Sequence, residues 1–116
     1  MEENCIFCKI ANEKSSLQKI IYCNDNFLSI PDANPITDGH TLIISKKHFS
    51  TILDMPNTVG LELLDCIKNT SLILMKEKNT EGFNVLQNNF ESAGQVVNHV
   101  HFHIIPRRKD DGLKIV

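Results

Sequence analysis

Three histidines alternate with apolar residues near the end of the sequence, in the segment His99-Val100-His101-Phe102-His103. In a β-strand alternate side chains point to the same face, so these imidazoles would share one face, roughly 6–7 Å from one to the next. The apolar residues between them would point into a core. Because an unpaired imidazole nitrogen is costly to bury, core packing would account for one histidine but not for three in register. The pattern therefore indicates a functional site.

Two chemistries use such a row of imidazoles. Three histidines can hold a catalytic zinc ion that keeps one coordination position open. Alternatively, one histidine can act as a nucleophile while its neighbours donate hydrogen bonds to phosphate oxygens. Imidazole suits the second role because its ordinary pKa lies near neutrality, so that a useful fraction is unprotonated. The row by itself is compatible with both.

A polar loop that contains a glycine precedes the histidines. In Ala93-Gly94-Gln95 the backbone N–H groups could approach an anion closely, because Gly94 carries no side chain. Asn88 and Gln95 add neutral donors suited to phosphate or leaving-group oxygens. Placed just before the histidines, the loop predicts an anion-binding site and favours the phosphate chemistry.

Length and charge narrow the class of protein. A chain of 116 residues has room for one core, so we expect a single domain over residues 1–116. The net charge of −2 argues against nucleic acid as a partner, which needs a clustered positive surface. No segment is apolar enough to span a bilayer, and the acidic N-terminus is unlike a signal peptide. We therefore expect a cytoplasmic protein that does not bind membranes, whose cysteines are thiols or metal ligands.

The elements that must position these residues form an α+β pattern. Periodicity and turn residues predict a short helix over residues 5–13 and a long helix that follows Pro56-Asn57-Thr58 and ends near Lys78. Five strands are predicted, over residues 19–23, 27–31, 40–45, 83–87 and 97–105, the last stopped by Pro106. This order predicts a mainly antiparallel five-stranded sheet with the helices packed on one side.

Four segments give the chain its resemblance to a known family. They are Cys5-Ile6-Phe7-Cys8-Lys9-Ile10, Asp32 in its loop, Gly39-His40-Thr41 through His48, and Ala93-Gly94-Gln95 through Arg107. In this order, and over nearly the full length, they resemble the histidine triad (HIT) proteins, most closely the bacterial Hint branch. The resemblance implies a HIT-like fold, a homodimer across which the sheet continues, and a nucleotide hydrolase similar to adenosine phosphoramidases. The apolar run Leu72-Ile73-Leu74-Met75 also favours a dimer.

The resemblance also implies a role for each site residue. His101 would attack the α-phosphorus of a purine nucleotide of the AMP or GMP type, and His103 would bind the phosphate oxygens. Nucleotidyl-His101 would then react with water to release the nucleoside monophosphate, with no cofactor needed for the chemistry. The other substrate-binding positions are Asp32 for the ribose, its neighbour Ala33, and Asn88, Gly94, Gln95 and Val96 for the phosphate and leaving group. Ile6, Phe7, Ile10, Ile30 and Leu42 would form an apolar slot for the base, with plain core packing as the alternative.

Two features bear on these roles. Val96 stands where several animal relatives carry a hydroxyl residue, so one contact to the leaving group is missing. A second set, Cys5 and Cys8 with His48 and His99, supplies two sulfur and two nitrogen ligands, which fits tetrahedral zinc. Some bacterial members of the family bind zinc in this way. Four protein ligands would close the coordination sphere, so the zinc would be structural. Free cysteines are the alternative.

Two functions of other classes stay open on the sequence. One is a zinc-dependent hydrolase with the metal on His99, His101 and His103, whose activity would be lost on chelation. The other is a regulatory adaptor that binds purine nucleotides with little turnover. Steady-state turnover of an adenosine phosphoramidate, compared with nucleotide affinity, separates an enzyme from an adaptor.

Overall fold

The computed structural model describes residues 4–12 and 19–115, which are organised around one antiparallel sheet. In chain order its strands are β1 (Tyr22–Cys23), β2 (Phe27–Pro31), β3 (Thr41–Ser45), β4 (Gly82–Gln87) and β5 (His101–Arg107). Their order across the sheet is β1-β2-β3-β5-β4, and every neighbouring pair is antiparallel. The predicted five-stranded sheet is therefore confirmed. The strand that carries the last two histidines lies inside the sheet, and β4 forms one edge.

Two α-helices cover the sheet, α1 (Ile6–Asn12) and α2 (Gly60–Lys78). They pack on opposite faces, so the prediction that both lie on one side was wrong. The reason is that β2 and β3 are apolar on both faces, with four or five buried residues in a row, and each face needs a cover. None of the helices in the described part of the chain has the length and apolar character needed to cross a membrane.

Each helix contributes to a separate cluster of buried side chains. On one face α2 packs Cys66 and Leu74 against the sheet, where they join Phe27, Ile43, Val100, Phe102 and Ile104. On the other face α1 places Phe7 against Leu28, Ile30, Leu42 and Ile44. The second cluster lies on the face that also carries the histidines, because Phe7 touches two of their rings.

The predicted limits of the helices hold closely. A 3₁₀ turn over Asn57–Val59 leads into α2, and the helix ends at Lys78. Asn79 stops it in the left-handed conformation with φ 51°, and its N–H donates to the carbonyl of Met75. Residue 13, where the first helix was predicted to end, lies outside the described residues.

Three strands begin later than predicted, β3 by a single residue and β1 and β5 by more. β1 covers only Tyr22–Cys23 instead of residues 19–23. β5 begins at His101 instead of residue 97, because the chain before it makes a tight turn in which the N–H of His99 donates to the carbonyl of Val97 at 2.8 Å.

β5 also continues past its predicted end, through Pro106 to Arg107. A proline lacks the N–H that a central strand donates to its neighbour. β3, however, begins at Thr41 opposite Ile104, so that no β3 residue pairs with Pro106. On its other side Pro106 stands opposite Phe83 of β4. The strand therefore tolerates the proline at the point where its neighbour β3 has not yet begun.

Candidate active site

The three histidines lie on the α1 face of the sheet, as the alternation predicted. The ring centroids of His101 and His103 are 5.2 Å apart. Phe7 of α1 presents its ring edge-on to His101 at 5.1 Å and to His99 at 5.7 Å. His99 therefore shares the face even though it precedes β5. Around the histidines, this face is bordered by the short helix α1 on one side and by the ends of β3, β4 and β5 on the other.

The main chain holds one nitrogen of His101 in place. Its Nδ1 lies 2.7 Å from the carbonyl oxygen of His99. A carbonyl only accepts hydrogen bonds, so Nδ1 carries the proton and donates it. In the neutral ring Nε2 then has the free lone pair. This is the protonation state that a histidine nucleophile requires.

His99 is held in the opposite sense. Its Nε2 lies 2.8 Å from the carbonyl oxygen of Ser45 and therefore donates, which leaves the lone pair on Nδ1. That nitrogen faces sulfur, 3.2 Å from Sγ of Cys5 and 3.5 Å from Sγ of Cys8. Burial lowers the pKa of His99 to about 4, so the ring is neutral at pH 7. Its free nitrogen is thus available as a ligand.

The four predicted metal ligands come together around this nitrogen. Nδ1 of His48 lies 3.2 Å from Sγ of Cys8, and all four donor atoms lie within 4.8 Å of one another. Tetrahedral zinc with two sulfur and two nitrogen ligands needs donor atoms roughly 3.5 Å apart. A zinc-ligating histidine also donates its other N–H to an acceptor, and Ser45 supplies that acceptor for His99. The residues fit zinc in both respects.

A second cluster joins Asp32, His40 and His103 at the end of the sheet. Nε2 of His40 lies 2.9 Å from Nδ1 of His103 and 3.3 Å from Oδ2 of Asp32, and Nδ1 of His103 lies 3.9 Å from the same oxygen. On its far side His40 accepts a hydrogen bond from the N–H of Ile36 at Nδ1, at 3.2 Å. The sequence placed His40 in a family motif but gave it no role.

Burial keeps the histidines of this cluster neutral. It lowers the pKa of His103 to about 4, with the neighbouring imidazoles of His101 and His40 acting in the same direction and Asp32 opposing them. Burial lowers the pKa of His40 as well, again against Asp32. Both rings are therefore uncharged at pH 7, and each offers one donor and one acceptor.

The rest of the predicted ribose site is a turn. Oδ1 of Asp32 accepts from the N–H of Asn34 at 2.8 Å, and the N–H of Asp32 donates to the carbonyl of His40 at 2.9 Å. Ala33 is exposed in the same turn. Asp32 is thus both a turn residue and a neighbour of His103, which places it beside the histidines as the ribose prediction requires.

Most of the donors predicted for the anion cradle make hydrogen bonds within the loop itself. The N–H groups of Ala93 and Gln95 both donate to the carbonyl of Phe90, and that of Gly94 donates to Glu91. The side chain of Gln95 is also used inside the loop, accepting from the N–H of Phe90 at 2.7 Å and donating to the carbonyls of Ser50 and Val97. Gly94 has φ 94°, so its role here is to close the turn.

Two other donors of the loop stay available. Asn88 follows Gln87, which stands opposite Phe102, so it reaches the level of His101 on the neighbouring strand. Within the described residues neither its side-chain amide nor the N–H of Val96 makes a hydrogen bond to protein. A sequence pattern could not show this, because it depends on which N–H groups the loop consumes in folding.

The residues predicted to form an apolar slot for the base lie mostly in a cluster of buried side chains on the α1 face, an arrangement that plain core packing would also give. Phe7, Ile30 and Leu42 are buried together, and Ile10 packs against them. Ile6 is 53% exposed and lies outside this cluster, lining a neighbouring cavity with Val96, Val97 and Asn98. Four of the five predicted residues thus meet beside the histidines.

Comparison with known proteins identifies the family. Residues 13–110 match the model of the HIT domain, and the chain belongs to the HIT family. It is 40% identical over 111 residues to an adenosine 5'-monophosphoramidase of Candida albicans, covering 92% of this chain and 72% of that protein. It is 39% identical over 113 residues to an adenylylsulfatase of Arabidopsis thaliana, covering 97% of this chain but only 57% of that longer protein.

A solved structure with the same fold bears on the metal site. The zinc-bound histidine triad family protein of Mycobacterium smegmatis superposes with a TM-score of 0.87 at 32% identity. The match covers 97% of this chain and 81% of the other. It is consistent with the HIT fold for this chain and shows that a member of the family binds zinc.

Proposed function

We propose that this chain is a nucleotide hydrolase that acts at the α-phosphate of purine nucleoside phosphoramidates or related nucleotides through a nucleotidyl-His101 intermediate. Family membership supports a nucleotide hydrolase at the coarse level. The two enzymes named above act, by their names, on adenosine phosphates that differ in the group attached to phosphorus. A reaction centred on the α-phosphate would accommodate both.

One observation carries the proposal to His101. The hydrogen bond from its Nδ1–H to the carbonyl of His99 leaves Nε2 as a free lone pair on the face that also holds His103. No other histidine of the row has this arrangement. The lone pair of His99 points at two sulfur atoms, and Nδ1 of His103 faces His40.

The proposed reaction is a double displacement. The Nε2 lone pair of His101 attacks phosphorus, the bond from phosphorus to the leaving group breaks, and the leaving group departs with the bonding pair and takes up a proton. Water then attacks the nucleotidyl-histidine, loses a proton, and releases the nucleoside monophosphate and the free imidazole. His103, the amide of Asn88 and the N–H of Val96 would donate to the phosphate oxygens as charge develops. Asp32 would accept from the ribose hydroxyls.

The proposal assigns zinc a structural role. Cys5, Cys8, His48 and His99 would hold the ion, and their four donors close its coordination sphere, so it would supply rigidity rather than chemistry. The rival zinc hydrolase needs His99, His101 and His103 on one ion. Among the described residues the groups close enough to share an ion are this set and Asp32 with His40 and His103. That grouping favours the nucleophilic mechanism.

Paired substitutions on β5 test the proposed roles. His101→Ala should reduce turnover of adenosine 5'-phosphoramidate by several orders of magnitude, because it removes the nucleophile, while AMP affinity changes within a few fold. His103→Ala removes a donor to the phosphate, so it should lower affinity as well as rate, the rate by about 10²–10³. The measurements are steady-state kinetics and AMP titration on both variants and wild type.

Two results would contradict these roles. An active His101→Ala enzyme would remove His101 as nucleophile. A wild-type protein that binds AMP tightly but turns over no phosphoramidate would favour the adaptor over the enzyme. A chemically trapped nucleotidyl adduct on wild type, absent from His101→Ala, is the positive result that the proposal expects.

We also propose that the protein is a homodimer. β4 is an edge strand, and its unpaired backbone groups can pair with a second copy. Phe83 and Val85 on this strand are 39% and 46% exposed, and α2 exposes Leu61 and Leu72. Pairing of two β4 edges would continue the sheet across a two-fold axis and cover apolar surface. The cytoplasmic location stays an expectation from the sequence.

A further inference from the structure

The hydrogen bonds around His40 determine where its proton lies. The N–H of Ile36 points at Nδ1 of His40, 3.2 Å away, and a backbone N–H can only donate. Nδ1 is therefore unprotonated, and the proton of the neutral ring is on Nε2. That atom lies 2.9 Å from Nδ1 of His103, so His40 donates and His103 accepts. The proton of neutral His103 must then be on its Nε2.

We propose that His40 is a positioning residue that holds His103 as the Nε2–H tautomer and thereby turns it into a hydrogen-bond donor. The chain of bonds runs from the N–H of Ile36 through both rings. Nε2 of His103 has no protein partner among the described residues and is the free end of this chain. His101 and His103 thus present opposite groups on one strand, a lone pair from the first and an N–H from the second.

The same three residues resemble a metal site, since their donor atoms lie within 4.8 Å of one another. A metal would need the lone pair of Nε2 of His40. Freeing it would move the proton to Nδ1, where it would point at the N–H of Ile36. A ligating histidine needs an acceptor at its other nitrogen, which Ser45 provides for His99 and nothing provides here. The cluster therefore fits a relay, that is, a chain of hydrogen bonds with fixed proton positions, better than it fits a metal site.

Asp32 competes for the proton of His40. Its Oδ2 lies 3.3 Å from Nε2 of His40, so it is a second acceptor close to the N–H that His40 donates to His103. If the proposed function holds, a ribose hydroxyl donates to Asp32 and weakens it as an acceptor. The N–H of His40 then turns fully to His103. Ribose recognition would in this way strengthen the donor that faces the phosphate.

Two substitutions of His40 separate the relay from mere packing. His40→Phe keeps an aromatic ring of similar shape but removes both nitrogens, and His40→Gln keeps an N–H close to the position of Nε2. Nitrogen-15 NMR of histidine-labelled free protein should show His103 as the Nε2–H tautomer in wild type and in His40→Gln. In His40→Phe the Nδ1–H form should appear, because nothing donates to Nδ1 any longer.

The kinetic consequences use the same variants. With adenosine 5'-phosphoramidate, kcat should fall on the order of tenfold to a hundredfold in His40→Phe, with KM changed little, and His40→Gln should recover part of the loss. A substrate that lacks both ribose hydroxyls should lower kcat in wild type but cause no further loss of kcat in His40→Phe. Thermal unfolding of each variant checks that it is folded.

Several outcomes would overturn the relay. One is a His103 ring that is Nδ1–H in wild type, or whose tautomer is unchanged in His40→Phe. Another is a zinc ion that wild type binds and His40→Gln loses. Failure of the proposed function is distinguishable, because a wild-type protein without phosphoramidase activity leaves the tautomer measurement on free protein as the decisive test of His40.

Discussion

At the scale of the residue, backbone groups decide what each histidine can do. The carbonyl of His99 accepts a hydrogen bond from Nδ1–H of His101, and the carbonyl of Ser45 accepts one from Nε2–H of His99. The main chain also fixes His40, but here the N–H of Ile36 donates and Nδ1 of His40 accepts. In the proposed function, one side-chain type would thus supply a nucleophile, a metal ligand and a hydrogen-bond donor within a single strand and its surroundings. The difference lies in which main-chain atom each ring meets.

Burial of His99 and His103 predicts that acid destabilises the metal-free protein. Their pKa values fall from the ordinary 6.5 to about 4 in the folded chain. Between these pH values the unfolded chain binds protons that the folded chain does not. The free energy of unfolding therefore has its full value above pH 6.5 and declines as the pH falls toward 4. Each unit of pKa is worth about 1.4 kcal/mol, which gives a loss on the order of 2–3 kcal/mol for each imidazole.

Urea denaturation of chelator-treated protein between pH 4 and 7 measures this loss. His103→Gln removes one of these imidazoles and should make the slope shallower, while His99 and His40, whose pKa burial also lowers, still contribute. A free energy of unfolding that does not change over this range would contradict the burial of both rings as neutral groups.

At the scale of the element, local patterns predicted what depends on local sequence. β2 was predicted at residues 27–31 and found at Phe27–Pro31, because a turn of asparagine and aspartate precedes it and proline ends it. The end of α2 near Lys78 was predicted equally well. The faces of the two helices and the limits of β5 were not, because they depend on which strands neighbour one another. β5 passes through Pro106 only because β3 begins at Thr41.

The site, like the fold, was predictable where it depends on local sequence and was not where it depends on which strands are neighbours. The shared face of the histidines follows from strand alternation, and the zinc ligands were assigned by the resemblance to the family. The contact of His40 with His103 spans 63 residues of sequence and exists because β3 and β5 are neighbours. Three N–H groups of the loop donate within their own turn. The sequence pattern could not predict this, because a glycine-containing loop can either bind an anion or close on itself.

The proposed zinc ligands come from three separate segments of the chain, which leads to a prediction. Cys5 and Cys8 belong to the α1 segment, whereas His48 follows β3 and His99 precedes β5. Cys8→Ser should lower the melting temperature, because metal binding contributes to the free energy of folding. Turnover at low temperature should stay largely intact. Differential scanning calorimetry, zinc analysis and kinetics test this.

Cys23→Ser is the matched control for the zinc site, because Cys23 is an exposed thiol and not among the four ligands. It should leave both zinc content and melting temperature unchanged. Protein purified without chelator that contains no zinc would remove the site. Loss of activity in Cys8→Ser at a temperature where it is folded would show that the metal does more than stabilise.

For the whole molecule, the exposed apolar surface favours association with a second copy of the same chain. The edge strand β4 and the outer side of α2 both present large apolar side chains to solvent. Val85 lies opposite Ile104, whose side chain belongs to the core on the α2 face, so Val85 is on that face too. A second copy that pairs along β4 would therefore bring two α2 faces side by side.

Val85→Lys tests the dimer, because lysine on an edge strand opposes strand pairing. Light scattering at micromolar concentration should give the mass of two chains for wild type and a lower mass for the variant. Leu53→Lys is the control, since Leu53 is 77% exposed in a 3₁₀ turn that belongs to neither β4 nor α2, and it should stay dimeric. A monomeric mass for wild type would refute the dimer.

The stereochemical course at phosphorus distinguishes transfer of the α-phosphate first to His101 and then to water from direct attack by water. A nucleoside phosphoramidate with a chiral α-phosphorus should be hydrolysed in isotopically labelled water and the configuration of the monophosphate determined. Two in-line displacements invert the centre twice, so the account predicts net retention. Net inversion would mean a single displacement by water, and His101 would not be the nucleophile.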